Sequence, residues 1–171
     1  NPSIKERTID SCYGYIANWP ESGNGRCVRA SLRVWTDHSN YVTGIGLRNT
    51  RVELSKPSSD SLRKEYKVSK GSHSHNIYIG WLVGAGVIGL TGFLCFVAML
   101  FVEITRYTLP NRYYMQTIFA FVVLLSTFFP LNHGMSFFTN HHAPIIWMTV
   151  GWALAYTRAF KNAPPNSIEL H

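Results

Sequence analysis

The sequence predicts an integral membrane protein, mainly α-helical, with two to three transmembrane helices and a small N-terminal β-containing extramembrane domain. Three observations point there. From Ile77 to Val102 about 26 residues pass without a charged side chain, enough helix to cross a hydrocarbon core. A second apolar run, Tyr113 to Phe129, follows after a short turn. The charges lie mostly before Ile77, where Lys and Arg outnumber the acids and supply most of the formal +7 of this 171-residue chain. Its 46% hydrophobic content would suit a soluble domain if it were spread evenly.

The first region, residues 1–55, is too polar to enter a bilayer but shows alternation. Val28, Ala30, Leu32 and Val34 would share one face of a strand, with Arg29, Ser31 and Arg33 on the other. Tyr41, Thr43, Ile45 and Leu47, followed by Val52 and Leu54, suggest a partner strand. A ribbon this small needs a neighbour to complete its core. Cys12 and Cys27 could bridge in an oxidising compartment, and two unrelated thiols are the equal alternative, since their spacing fits no zinc or redox pattern. The chain starts at Asn1 and no basic-then-apolar leader follows. A cleaved transit peptide or secretory signal would account for that, as would a numbering choice.

Residues 56–76 read as a polar linker or short helix, whose Lys64, Lys67 and Lys70 would meet lipid headgroups. Residues 77–161 form the transmembrane region. Its first segment opens on the interfacial aromatics Tyr78 and Trp81 and carries Gly80, Gly84, Ala85, Gly86, Gly89 and Gly92. Small residues let backbones approach closely, so Gly80, Gly84, Ala85, Gly89 and Gly92 are read as a helix-packing ridge for a partner; the general frequency of glycine in membrane helices is the alternative. The segment ends at Glu103 and Arg106, three residues apart and able to pair at the interface. Tyr113 to Phe129, interrupted by Gln116, Ser126 and Thr127, is a second span of near-minimal length, ended by Pro130. Pro144 to Tyr156 completes a third span only if Arg158 and Lys161 snorkel or the helix starts near Met135. Residues 162–171 form a tail. Arg106, Arg112, Arg158 and Lys161 are further headgroup candidates, and they balance Arg63, Lys64, Lys67 and Lys70 too evenly for the positive-inside rule to orient the chain.

Catalytic signatures are absent: the sequence has no phosphate-binding glycine loop, zinc-protease His-Glu-x-x-His or Gly-x-Ser-x-Gly turn. His133, His141 and His142 gather between the second and third apolar segments, with His73 and His75 before the first. They are the only candidates for a metal or redox site, yet no His-x-x-x-His pair aligns two ligands on one helical face. Neither of the first two apolar runs carries an axial histidine for haem. No catalytic residue, metal or cofactor is therefore predicted, only bound structural lipid. Basic residues are dispersed without zinc-finger or RNA-binding signatures, which argues against nucleic acid and for anionic lipids and other membrane subunits as partners. The expected function is a non-catalytic accessory or assembly subunit of a larger membrane complex. A respiratory-type complex of the mitochondrial inner membrane is preferred over the plasma membrane or endomembranes, given the basic charge and the lack of an Asn-x-Ser/Thr acceptor with an allowed middle residue. The alternatives are a redox or proton-handling enzyme using the histidine loop, and a small adaptor or transporter unit.

Overall fold

The computed structural model describes residues 13–14, 17–106, 114–130, 138–139 and 141–161. They contain helices α1 (Gly23–Asp37), α2 (Asn49–Glu53), α3 (Asp60–Tyr66), α4 (Ile77–Arg106), α5 (Tyr114–Thr127) and α6 (His142–Lys161), and no β-strand among them. Two compact units divide within α4, between Leu90 and Thr91.

In the first unit, Ser22 starts α1 by accepting a hydrogen bond from the Gly25 amide at 3.1 Å. The buried residues Cys27, Ala30, Ser31 and Val34 recur at intervals of three and four, so the helix buries a stripe. This overturns the expected strand over Val28 to Val34. The misleading residue is Ser31, which counts as polar in the sequence but is fully buried, its hydroxyl donating to the Cys27 carbonyl at 2.8 Å. Arg33 and Asp37 pair across one helical turn at 3.2 Å, a spacing that a strand would not bring together. The expected partner strand is also absent. Gly44 and Gly46 adopt φ of 71° and 99°, which bends Tyr41–Gly46 into a loop, and Val52 and Leu54 belong to α2 and its end.

Ala30, Val34 and Leu54 form the core of this unit, with Ile45, Leu62, Tyr66 and Val68 packed against it. Leu62 and Tyr66 come from α3, inside the segment read as a polar linker or short helix. Asn76 then opens α4, its side-chain oxygen accepting from the amides of Tyr78 and Ile79 at 3.0 and 3.1 Å.

The second unit packs the rest of α4 with α5 and α6 through aromatic contacts. Phe93 meets Phe128 with ring centroids 6.0 Å apart, Phe96 meets Trp147 at 5.6 Å, and Phe101 meets Phe121 at 5.0 Å. Ile104, Ala120, Leu124 and Ala153 are fully buried. Among the described residues only α4 is long and apolar enough to cross a membrane, which corrects the expectation of two to three spans. α5 has 14 residues and rises about 21 Å, short of a hydrocarbon core of about 30 Å. α6 has the length, 20 residues, but His142, Arg158 and Lys161 near its two ends leave too short an apolar stretch between them.

Candidate functional site

The most unusual local structure lies where α4 breaks. Gly86 has φ 69° and ψ −167°, a conformation open essentially to glycine alone, so α4 is two helical pieces. In an unbroken helix the amides of Val87 and Ile88 would donate to the carbonyls of Val83 and Gly84. Here the loop Tyr41–Gly46 is interposed in both bonds. The Ile45 and Gly46 amides donate to the Val83 and Gly84 carbonyls, each at 2.9 Å. The Val87 and Ile88 amides donate to the Tyr41 and Val42 carbonyls at 2.9 and 3.3 Å. The break thus costs none of these backbone groups its partner. Contact is possible because glycine meets glycine: a Cβ on Gly44 would lie 2.6 Å from the Gly84 carbonyl carbon, and one on Gly86 would collide with the Val42 carbonyl.

The residues predicted to form a packing ridge divide accordingly. Gly84 faces the chain's own loop, where a Cβ would approach Leu47 at 3.2 Å, and Gly80 faces Ser74. Gly89 lies over Ala85 and Trp81, and Ala85 is half-buried. Gly92 opens onto free space. The first part of the ridge therefore receives a segment of the same chain.

Beyond the break α4 buries one stripe, Phe93, Val97, Leu100 and Ile104, and leaves much of the rest of its surface exposed. Only 22% of the most apolar stretch of α4 is buried, which is the reverse of a soluble core helix. Val87, Ile88, Leu94, Met99 and Val102 point outward, and so do Phe119, Val122 and Leu125 of α5 and Ile145, Trp147 and Met148 of α6. Glu103, expected to pair with Arg106, has its carboxylate 3.7 Å from Arg158 of α6.

His133 lies outside the described residues, His141 is exposed and His142 begins α6. Among the described residues no group of three His, Cys, Asp or Glu could hold a metal ion. His73 and His75 do come together, ring centroids 3.9 Å apart and tilted by 30°. Burial, then the nearby charges of His75 and Arg51, lowers the His73 pKa from 6.5 to about 4. Between those values the unfolded state binds the proton that the folded state refuses, so this contribution to stability is intact above pH 6.5 and is lost as pH falls towards 4. Thermal melts in detergent are expected to show that acid loss, and His73→Gln is expected to flatten it. Cys27 carries a free, buried thiol, its pKa raised by burial and only partly lowered by a hydrogen bond with Ser72 and the charge of Arg26. Cys12, its suggested partner, lies outside the described residues.

Of the proposed headgroup contacts, Lys64, Lys67 and Lys70 are exposed in the first unit, and Arg106 and Arg158 are exposed near the ends of α4 and α6. Arg112 and the Lys161 side chain lie outside the described residues. Sequence reading missed the loop Tyr41–Gly46 as a structural partner of the apolar helix. The available signal was the Gly44-Ile45-Gly46 triplet inside an apolar stretch.

No protein-family model, curated protein or solved structure matches this chain.

Proposed function

We propose that α4 holds the chain in a lipid bilayer and that the protein is a non-catalytic accessory or assembly subunit of a larger membrane complex. One observation carries this reading: the most apolar stretch of α4 is only 22% buried by its own chain. Outward-facing Met99, Phe119 and Met148, at 71, 55 and 73% exposure, extend that apolar surface over the second unit. Water is a costly neighbour for so much contiguous apolar area; lipid chains and other membrane subunits are not. The basic first unit, with Lys64, Lys67 and Lys70 exposed beside the start of α4, suits an anionic surface at the membrane boundary. We place the complex among the energy-transducing assemblies of the mitochondrial inner membrane, a setting supported by the +7 charge and the missing glycosylation acceptor.

Native membranes extracted in mild detergent provide the test, by native gel and mass spectrometry of the particle that contains this chain. Co-migration with a large oxidoreductase or synthase is the expected result. Migration alone, or as a small homo-oligomer, would sink the subunit reading and turn attention to His141, His142 and their neighbours as an independent site.

A further inference from the structure

Resting on the reading that α4 lies in a bilayer, we propose that the loop Tyr41–Leu47 is itself a membrane-inserted element, seated in one lipid leaflet against the break in α4.

The argument begins with length. Past the break, the uncharged helix Val87–Val102 rises about 24 Å, roughly 6 Å less than a hydrocarbon core of about 30 Å. Tilting shortens its reach further. To fill the core, the helix must draw the break below the lipid surface. Broken backbone is intolerable there unless every exposed amide and carbonyl finds a partner within the protein. For the helix groups at the break the loop meets that condition, since it supplies the donors for Val83 and Gly84 and the acceptors for Val87 and Ile88, and its own Gly44 amide bonds to the Asn40 carbonyl at 2.9 Å.

The side chains agree with the backbone. Tyr41, Val42 and Leu47 are exposed at 45, 57 and 50%, beside Val87 and Ile88 at 50 and 64%. Together these make an apolar patch shared by the loop and the first α4 residues past the break. No charge occurs from Tyr41 to Leu47, and Arg48 follows at once, placed to reach phosphate at the boundary. Tyr41 suits that boundary too, its ring set edge-on to Trp35 at 5.0 Å and its hydroxyl donating to the Thr36 carbonyl at 3.3 Å. A lipid leaflet therefore fits this patch through charge pattern and depth.

Nitroxide labels report the depth directly. With Cys12→Ser, Cys27→Ala and Cys95→Ala as background, Val42→Cys, Leu47→Cys, Met99→Cys and Glu65→Cys are labelled singly. The full chain is then reconstituted in phosphatidylcholine and phosphatidylglycerol vesicles, and collisions with oxygen and with a water-soluble nickel chelate are compared. Val42 and Leu47 are expected to match Met99, rich in oxygen and shielded from nickel, with Glu65 showing the opposite. Nickel access at Val42 and Leu47 with Met99 shielded overturns the insertion while leaving the α4 span intact. Nickel access at Met99 as well removes both. Shielding of Val42 from both probes means that protein, a second copy or another chain, covers the loop, and this overturns the lipid assignment. A photoactivated diazirine phospholipid applied to the unaltered chain gives a second measurement free of substitutions. Label within Tyr41–Leu47 is expected, and label confined to α4 overturns the proposal.

Discussion

Gly86→Ala is expected to be among the most damaging single substitutions in this chain, although it adds one methyl group in an apolar helix. Two independent costs act together. At φ 69° and ψ −167° an alanine backbone is strained, of the order of 1–3 kcal/mol. The new methyl would also run into the Val42 carbonyl and close on the Gly44 amide, forcing apart the loop contact that completes the break. Relief is available by straightening: the Val87 and Ile88 amides return to Val83 and Gly84, and Tyr41–Gly46 is expelled. The combined effect is about 3 kcal/mol, lowering the melting temperature by roughly 6–12 °C. Released from α4, the loop should also admit trypsin at Arg48. Gly92→Ala is the internal control, because it lies in the same helix and meets nothing, so it should change stability by less than about 1 kcal/mol. Equal behaviour of the two variants would show that the break is not held as described.

That contrast also marks how far the sequence could be read. The apolar helix was legible because uncharged length is a one-dimensional property that neither packing nor topology can hide. The role of its glycines was not. Gly84, Gly86 and Gly92 look alike in a string, and what separates them is a loop some forty residues earlier that docks on the first two and not the third. The same blindness to distant contacts produced the strand expectation at Val28 to Val34. Two alternating faces and one helical stripe differ there by Ser31 going inside and Leu32 staying only half-buried, and a serine can satisfy its hydroxyl on the preceding turn and go inside. The Ser22 cap and the Cys27, Ala30 and Val34 spacing carried the helical signal, but alternation over seven residues outweighed it. The additional spans failed for a different reason. The described α5 covers 14 residues and α6 keeps polar ends, so among the described residues apolar composition outran the geometry needed to cross a bilayer. For the candidate site, the docking of Tyr41–Gly46 on the helix break required the three-dimensional contact.

Arg63 shows how a charge can be misassigned by the same limitation, and its removal is the second large effect expected. Grouped with Lys64, Lys67 and Lys70, it counts as one more cation facing the membrane, yet it is only 8% exposed. Its guanidinium donates to the Leu54 and Lys56 carbonyls, each at 2.8 Å, and pairs with Asp60. The ion pair contributes little, because the Asp60 side chain remains 60% exposed and water can replace the partner. The carbonyls matter more. Leu54 is fully buried in the core with Ala30 and Val34, so its carbonyl has no water to turn to when the guanidinium is gone. Arg63→Ala should therefore cost about 3 kcal/mol, by loss of two charge-assisted bonds and the packing of the side-chain stem. Both bonds come from one nitrogen, Nη1, while Nη2 pairs with Asp60, so Arg63→Lys should recover only part of it: a single ammonium on a flexible stem replaces two nitrogens held in a fixed plane. Lys64→Ala, one residue away and exposed, should stay within about 0.5 kcal/mol. Denaturant unfolding of the three variants in one detergent reads the ranking. If Arg63→Ala and Lys64→Ala prove alike, Arg63 is a surface cation and the first unit is held together by its apolar core alone. If they separate as expected, Arg63 leaves the count of membrane-facing charges, and Lys64, Lys67 and Lys70 remain this segment's headgroup candidates.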